Sequence, residues 1–205
     1  MTQKNPQREH YYSAQPQSEA KLGLIRTHLR RESFVFMTAS SVFSKKRVDT
    51  GTRILIESMI LPEAGRVLDV GSGYGAIGIV AARLNPSLQV VLTDVNTRAV
   101  RLARENIERN NIVNAEVRCG SLYKPVEDLT FNCILSNPPV SAGINTVEAI
   151  ITEAPEIMEP NATLQMVVKS KIGRKILPAV FEAVFGNCRI LAREGGYRVF
   201  ISEKQ

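Results

Sequence analysis

The chain has 205 residues, 44% of them hydrophobic and 22% charged, the proportions of one globular unit with room for a full core. No apolar run reaches the length of a membrane span, the opening MTQKNPQREH has no apolar h-region, and three separated cysteines and two histidines lack metal-ligand spacing. A cytoplasmic location is therefore expected, with neither a membrane partner nor a metal. The net charge of +6 is uneven: residues 1–60 carry ten basic and five acidic side chains, residues 61–160 eight and twelve, and residues 161–205 eight and three. Two basic ends around an acidic middle suit a polyanion if they converge in space, and are otherwise solvated surface.

Residues 1–20 are polar and read as an irregular leader. Segments 22–27 and 33–38 have strand composition, with a turn at Arg30-Arg31-Glu32. Asp49 or Thr50 can cap a helix that runs to about Met59 and carries Ile54, Leu55 and Met59 on one face. Residues 1–60 thus read as a small β extension plus an entry helix, packed on a main domain over 61–205. From Arg66 onward strand and helix patterns alternate, the signature of a doubly wound α/β sheet. Strands are predicted at 66–70, 88–93, 115–119, 131–135 and 163–168, and helices at about 76–84 and from Asn96 to Asn110. Val147, Ile150, Ile151, Ala154 and Ile157 fall at helical spacing in a helix that Pro155 should kink. Pro178 suits the first turn of a last helix ending at Gly186, and Gly195-Gly196 is a hairpin signal between 189–192 and 197–202.

In such a sheet ligands bind at the carboxyl ends of the strands, beside the point where strand order reverses. Four groups fall at such ends. Asp69, Val70, Gly71, Ser72, Gly73, Tyr74 and Gly75 form a glycine-rich turn after the first strand, where a ligand can lie against the backbone and the N–H groups opening the next helix can face it. Taken alone it is also an ordinary glycine turn. Asp94 closes the second strand, 23 positions after Gly71, and its carboxylate can accept from both hydroxyls of a ribose. Ser121 and Leu122 follow the third strand and can flank an adenine. Asn137-Pro138-Pro139 follows the fourth. Its prolines lack N–H groups, so the Asn137 side-chain oxygen and nearby carbonyls dominate as acceptors, and two acceptors hold an exocyclic amine by its two N–H bonds.

These stretches, with Val42-Phe43-Ser44 leading to Asp49-Thr50-Gly51-Thr52 and Ser136 before Asn137, resemble class I S-adenosylmethionine (SAM) methyltransferases. Within that class they resemble the methyltransferase small-domain group, typified by ribosomal RNA guanine-N2 methyltransferases. His10-Tyr11-Tyr12-Ser13 and Gly195-Gly196-Tyr197-Arg198-Val199 look like its compact, single-domain archaeal branch. The resemblance implies a Rossmann-like, seven-stranded doubly wound sheet with a terminal antiparallel hairpin. It implies SAM as cofactor: its amino-acid portion on the Asp69–Gly75 turn, ribose on Asp94, adenine near Val95, Ser121 and Leu122, and its methyl aimed at Asn137. Val140 stands where many relatives have an aromatic ring, so stacking on the target base must come from elsewhere, with Phe43 and Tyr74 as candidates.

The implied activity is methylation of an exocyclic base amine in RNA, foremost guanine-N2 of ribosomal RNA, without a metal because the sulfonium is already electrophilic. Asn137, Pro138 and Pro139 would carry the chemistry. Phosphate contacts would come from the basic ends, with Lys45, Lys46, Arg47, Lys169, Lys171 and Arg174 foremost and Arg26, Arg30, Arg31 and Lys175 beside them. A tRNA guanine, a protein glutamine and a DNA adenine are alternative substrates, and an RNA-binding protein that kept only the fold is another reading. An NAD-dependent dehydrogenase fits Gly71-x-Gly73 and Asp94 but leaves Asn137-Pro138-Pro139 without a role. Either a monomer or a homodimer is compatible with the sequence.

Overall fold

The computed structural model describes residues 14–16, 19–44, 46–138, 143–173 and 176–205. Strands β1 (Leu22–Leu29) and β2 (Glu32–Ala39) form a separate antiparallel pair, followed by α1 (Thr50–Ser58). Then come β3 (Gly65–Val70), α2 (Ala76–Leu84), β4 (Leu88–Asp94), α3 (Thr97–Arg109), β5 (Ala115–Cys119) and β6 (Phe131–Ser136). The chain ends with α4 (Ile144–Thr152), β7 (Met158–Lys169), a single turn α5 (Ser170–Gly173), α6 (Leu177–Phe185), β8 (Arg189–Glu194) and β9 (Tyr197–Glu203).

The seven strands β3–β9 make one sheet in the order β5-β4-β3-β6-β7-β9-β8, parallel except for β9, which runs against both β7 and β8. Its apolar runs alternate between two cores. Val67, Val90, Leu92, Cys133 and Leu135 face the side covered by α1, α2 and α3. Leu68, Val91, Ile134, Leu164 and Phe200 face the side covered by α4 and α6. Burial on both faces is why these strands read as continuous hydrophobic segments. Strand order reverses at β3, with β4 on one side and β6 on the other, so the crevice lies above the carboxyl ends of these strands.

The β1–β2 hairpin is tied to α3 by two asparagines one helical turn apart. Asn106 Oδ1 accepts from Met37 N (2.6 Å) and its Nδ2 donates to Met37 O (2.9 Å). Asn110 repeats this on Val35, accepting at 3.0 Å and donating at 2.9 Å. The second N–H of Asn106 reaches Tyr74 O in the glycine turn at 2.9 Å. One buried amide therefore joins the hairpin, α3 and the turn.

Three local details depart from the sequence expectation. The β1–β2 turn is two residues, Arg30 and Arg31, both at positive φ (50° and 69°), because Leu29 pairs with Glu32. Arg30 offsets that strain by donating from Nε to Ile56 O (2.7 Å) and from Nη2 to Met59 O, carbonyls at the C-terminal end of α1. Pro155 does not kink a long helix; α4 stops at Thr152 and Pro155 enters the first turn of a separate 3-10 segment, Ala154–Ile157. A proline has no N–H to continue the helical ladder and its ring crowds the preceding turn, so breaking is cheaper than bending. β7 begins earlier, at Met158, and passes Pro160 and Asn161 with a register shift against β6 between Phe131 and Cys133. The expected caps are present: Asp49 for α1, Asn96 for α3, and a left-handed Gly186 after α6.

Candidate active site

A cavity of about 260 Å³ opens above the carboxyl ends of β3, β4, β5 and β6. Its wall brings together most of the residues singled out from the sequence: Gly71, Ser72 and Gly73, then Asp94 and Val95, then Ser121 and Leu122, then Asn137 and Pro138, with Phe43 and Tyr74. Val42, Thr52, Thr93, Ala99, Thr146 and Ile150 complete much of the lining. Pro139, Val140, Lys45, Arg174 and Lys175 lie outside the described residues. So does the leader tetrapeptide His10-Tyr11-Tyr12-Ser13.

The glycine turn is built for close approach. Gly71 and Gly73 adopt φ of +70° and +58°, and a Cβ on either would meet nothing within 4 Å, so their missing side chains leave room on the cavity side. Its amides, however, are largely spent within the fold. Gly71 N and Ser72 N both donate to Thr93 O at 2.9 Å, Gly75 N to Ser72 O at 2.9 Å, and Gly73 N to Asp94 Oδ2 at 2.8 Å. What the turn offers a ligand is space, the start of α2 at Ala76 and Ile77, and the hydroxyls of Ser72 and Thr93, buried and without a partner.

Asp69 sits beneath the turn rather than in the cavity wall. It is fully buried, and its Oδ2 accepts from Gly78 N at 2.8 Å. That bond supplies the cap that Gly75, the residue preceding α2, has no side chain to give. Burial pushes the Asp69 carboxyl up to about 7, with the Gly78 N–H pulling it down and the charge of Asp94 pushing it further up. An unfolded carboxyl titrates near 3.8, so between that pH and about 7 the folded chain holds a proton that the unfolded chain has released. This group therefore makes the fold less stable as pH rises through that window. In urea unfolding at about pH 5 and about pH 8, Asp69→Asn should gain on the wild type at the higher pH by on the order of a few kcal/mol. An equal difference at both would mean that Asp69 does not titrate in that range.

Asp94 is half-buried at the end of β4. Its Oδ2 holds Gly73 N, and its Oδ1 accepts from Asn96 N at 2.8 Å. Desolvation raises its carboxyl above the usual range, against the pull of the Asn96, Gly73 and Val95 N–H groups. The two carboxylate oxygens have four acceptor sites between them, so these three N–H groups leave one for a further donor. Asn96 caps α3 by accepting from Arg98 N and Ala99 N, and its Nδ2 holds Ser41 O at 2.9 Å, two residues before Phe43. The helix that begins beside Asp94 thus also fixes the segment carrying the half-buried Phe43 ring at the cavity wall.

Tyr74 does not offer a ring for stacking. Its side chain is 4% exposed and packs on Phe36 with centroids 5.6 Å apart. Burial and, secondarily, the charge of Asp49 push its hydroxyl pKa upward. Of the two aromatic candidates, Phe43 remains.

At the end of β6, Ser136 Oγ donates to Val70 O at 2.9 Å, fixing the strand end against β3. Asn137 then projects its amide toward the start of α1, where Nδ2 donates to Thr52 Oγ1 at 2.9 Å and to Asp49 Oδ2 at 3.3 Å. Pro138, buried and without an N–H, continues the wall. The same edge gathers exposed cations. Lys46 and Arg47 precede Asp49, Lys169 pairs with Tyr197 across β7 and β9, and Tyr197 lies over Gly51, where a Cβ would come within 2.8 Å of its ring. Lys171 follows on α5. Arg30 and Arg31 sit instead at the far end of α1, roughly 12 Å from its N-terminus by the helical rise, and Arg30 is committed to the carbonyls of Ile56 and Met59 there. Arg26 is exposed on β1. Among the described residues no helix is long and apolar enough to cross a membrane, and no group of three His, Cys, Asp or Glu is arranged to hold a metal.

Known proteins resemble this chain in sequence and in fold. A Bacillus subtilis (strain 168) chain named uncharacterized protein YbxB is 37% identical over 198 residues, covering 96% of this chain and 98% of that one. Ribosomal RNA small subunit methyltransferase C of Yersinia enterocolitica is 32% identical over 170 residues, 81% of this chain and 48% of that protein. The Photorhabdus laumondii protein of the same name is 28% identical over 178 residues, 85% of this chain and 51% of that one. The chain thus spans about half the length of these ribosomal RNA methyltransferases. In fold it matches the Thermus thermophilus 16S rRNA methyltransferase RsmC, solved with AdoMet and guanosine, at a TM-score of 0.81 and 23% identity, over 93% of this chain and 52% of that one. Residues 33–201 match the methyltransferase small domain. The chain belongs to that family, whose members are S-adenosylmethionine-dependent methyltransferases.

Proposed function

We propose that this protein transfers a methyl group from SAM to an exocyclic base amine in RNA, with guanine-N2 of ribosomal RNA as the reading best supported. The observation that carries it is the placing of Asn137 and Pro138 on the wall of the same cavity as Gly71, Gly73 and Asp94. A cofactor cradle and an amine-acceptor turn converge there.

The residues fit the cofactor. The space over Gly71 and Gly73 and the unpartnered hydroxyls of Ser72 and Thr93 suit a polar, compact amino-acid portion. The acceptor capacity left on Asp94, at the cavity wall, suits a ribose hydroxyl, and Val95, Ser121 and Leu122 suit the flanks of an adenine. SAM, when bound, supplies an electrophilic methyl on a sulfonium.

The chain's own contribution is positioning and exclusion of water. Asn137 accepts from the amine and aims the nitrogen lone pair. Pro138 adds no competing donor. Phe43 offers a face for the base. The attacked nitrogen becomes acidic only as the new bond forms, so no strong base is required of the protein. Lys46, Arg47, Lys169 and Lys171 offer phosphate contacts on the same edge. The curated ribosomal RNA methyltransferases, 28% and 32% identical, favour ribosomal RNA over tRNA, DNA or protein.

The test is tritiated methyl transfer from SAM to ribosomal subunits, total RNA and total protein, all from cells lacking this gene. Label in ribosomal RNA, released on digestion as a methylguanosine, is expected. Label confined to tRNA would move the assignment to the tRNA reading. Label in protein alone would replace an RNA substrate with a glutamine amide.

A further inference from the structure

The N-terminus of α1 reaches the site through two side chains whose sequence signals are ordinary. Asp49 reads as a helix cap, and Thr52 as a threonine in a first turn. In the structure both converge on one nitrogen. Asp49 Oδ2 accepts from Gly51 N at 2.8 Å and Thr52 N at 3.3 Å, and also from Asn137 Nδ2 at 3.3 Å. Thr52 Oγ1 accepts from the same Nδ2 at 2.9 Å. An oxygen already facing two main-chain N–H groups presents lone pairs, so the end of the Asn137 amide set against it is the NH2 end. Both N–H bonds of that amide are then used, one on each partner, and Oδ1 is left for the cavity.

The terminal torsion of an asparagine is broad and roughly two-fold, so an unheld amide turns over easily. Turned over, Asn137 would present two donors to an incoming amine, which also brings donors, and the contact would be repulsive. We propose that Asp49 and Thr52 are positioning residues that lock the Asn137 amide with its oxygen toward the substrate amine. The entry helix thereby sets the polarity of the amine site. This inference rests on the reading of Asn137 as the acceptor of the amine.

The test compares Thr52→Val, an isostere without the hydroxyl, with Thr52→Ser, which keeps it, in the full chain. Thr52→Val is expected to lower the rate of methyl transfer at saturating SAM about tenfold while the Kd for SAM stays within about twofold. Thr52→Ser should recover most of the loss. In the Asn137→Ala background, Thr52→Val should cost nothing further, because its effect passes through an amide already removed. Nitrogen-edited NMR supplies a readout apart from turnover. The Asn137 side-chain NH2 signal, identified by its absence in Asn137→Ala, should be protected from solvent exchange in the wild type and lose that protection in Thr52→Val. Wild-type transfer together with an equal Thr52→Val penalty in both backgrounds, or a penalty found wholly in SAM affinity, would overturn the lock alone. Absence of transfer by the wild type to any substrate would overturn the functional reading, and with it the role given to Asp49 and Thr52.

Discussion

Asn137→Ala is expected to lower methyl transfer by roughly 10²–10³-fold and to leave SAM affinity within about threefold, the pattern of a lost preorganised contact to the reacting group. The fold should tolerate the change. Asn137 Nδ2 is bonded to Thr52 and Asp49, but Asp49 keeps Gly51 N and Thr52 N, so α1 retains its cap. The stability cost is about 1 kcal/mol, that of one ordinary hydrogen-bonded side chain. The loss falls on catalysis because a misaligned amine presents its lone pair to the wrong direction, and alignment is where most of the barrier reduction resides. Single-turnover transfer to undermethylated ribosomal subunits, with SAM affinity by equilibrium dialysis, separates the two quantities. A matched loss in both would move Asn137 from the chemical step to the cofactor site.

Asp94→Ala should do the reverse, weakening SAM binding by roughly 10²–10⁴-fold. Hydrogen bonds from the ribose to a partly desolvated carboxylate contribute about 1.5–3 kcal/mol each. The same carboxylate anchors Gly73 N and Asn96 N, so its removal also loosens the glycine turn and the entry to α3. Asp94→Asn separates these effects. It keeps one acceptor oxygen but replaces the other with a donor, and an intermediate loss is expected. Unchanged affinity in Asp94→Ala would remove Asp94 from the ribose role altogether.

The gathering of Gly71, Gly73, Asp94 and Asn137 at one cavity was readable because each of them sits in a local signal. A glycine turn after a buried strand, an acid at the end of the next strand and an Asn-Pro-Pro turn two strands later all carry their position in their own neighbours. The caps at Asp49 and Asn96 and the Gly195-Gly196 hairpin were readable for the same reason, and both glycines do take positive φ (52° and 79°). The rest depended on contacts between distant stretches. Thr52 meets Asn137 across 85 positions, and although Asp49-Thr50-Gly51-Thr52 carries part of the family resemblance, nothing in that stretch points to Asn137. Tyr74 sits in the glycine motif yet turns its ring to Phe36, because the hairpin brings that ring over α3. Arg30 reads as a surface cation, but the hairpin turn delivers it to the end of α1. One missed signal was present. Asn106 and Asn110 lie on the inward side of an amphipathic helix, and buried amides four residues apart must find partners somewhere.

Those two asparagines make a helix serve as a neighbouring strand. Four residues of helix advance about 6.0 Å and two residues of strand about 6.7 Å, so amides one turn apart on α3 meet alternate peptide groups of β2 nearly in step. Each closes a two-bond ring with a main-chain unit, as an adjoining strand would. β2 is thereby sealed on both sides, by β1 and by α3, and offers no template for lateral growth or for pairing with a second molecule. The match also makes the helix intolerant of length change. One residue inserted before Asn106 would swing both amides by about 100° around the axis and unseal the edge. The same insertion would withdraw the N–H that supports Tyr74 O, so the covering of the β2 edge and the shape of the glycine turn depend on a single helical register.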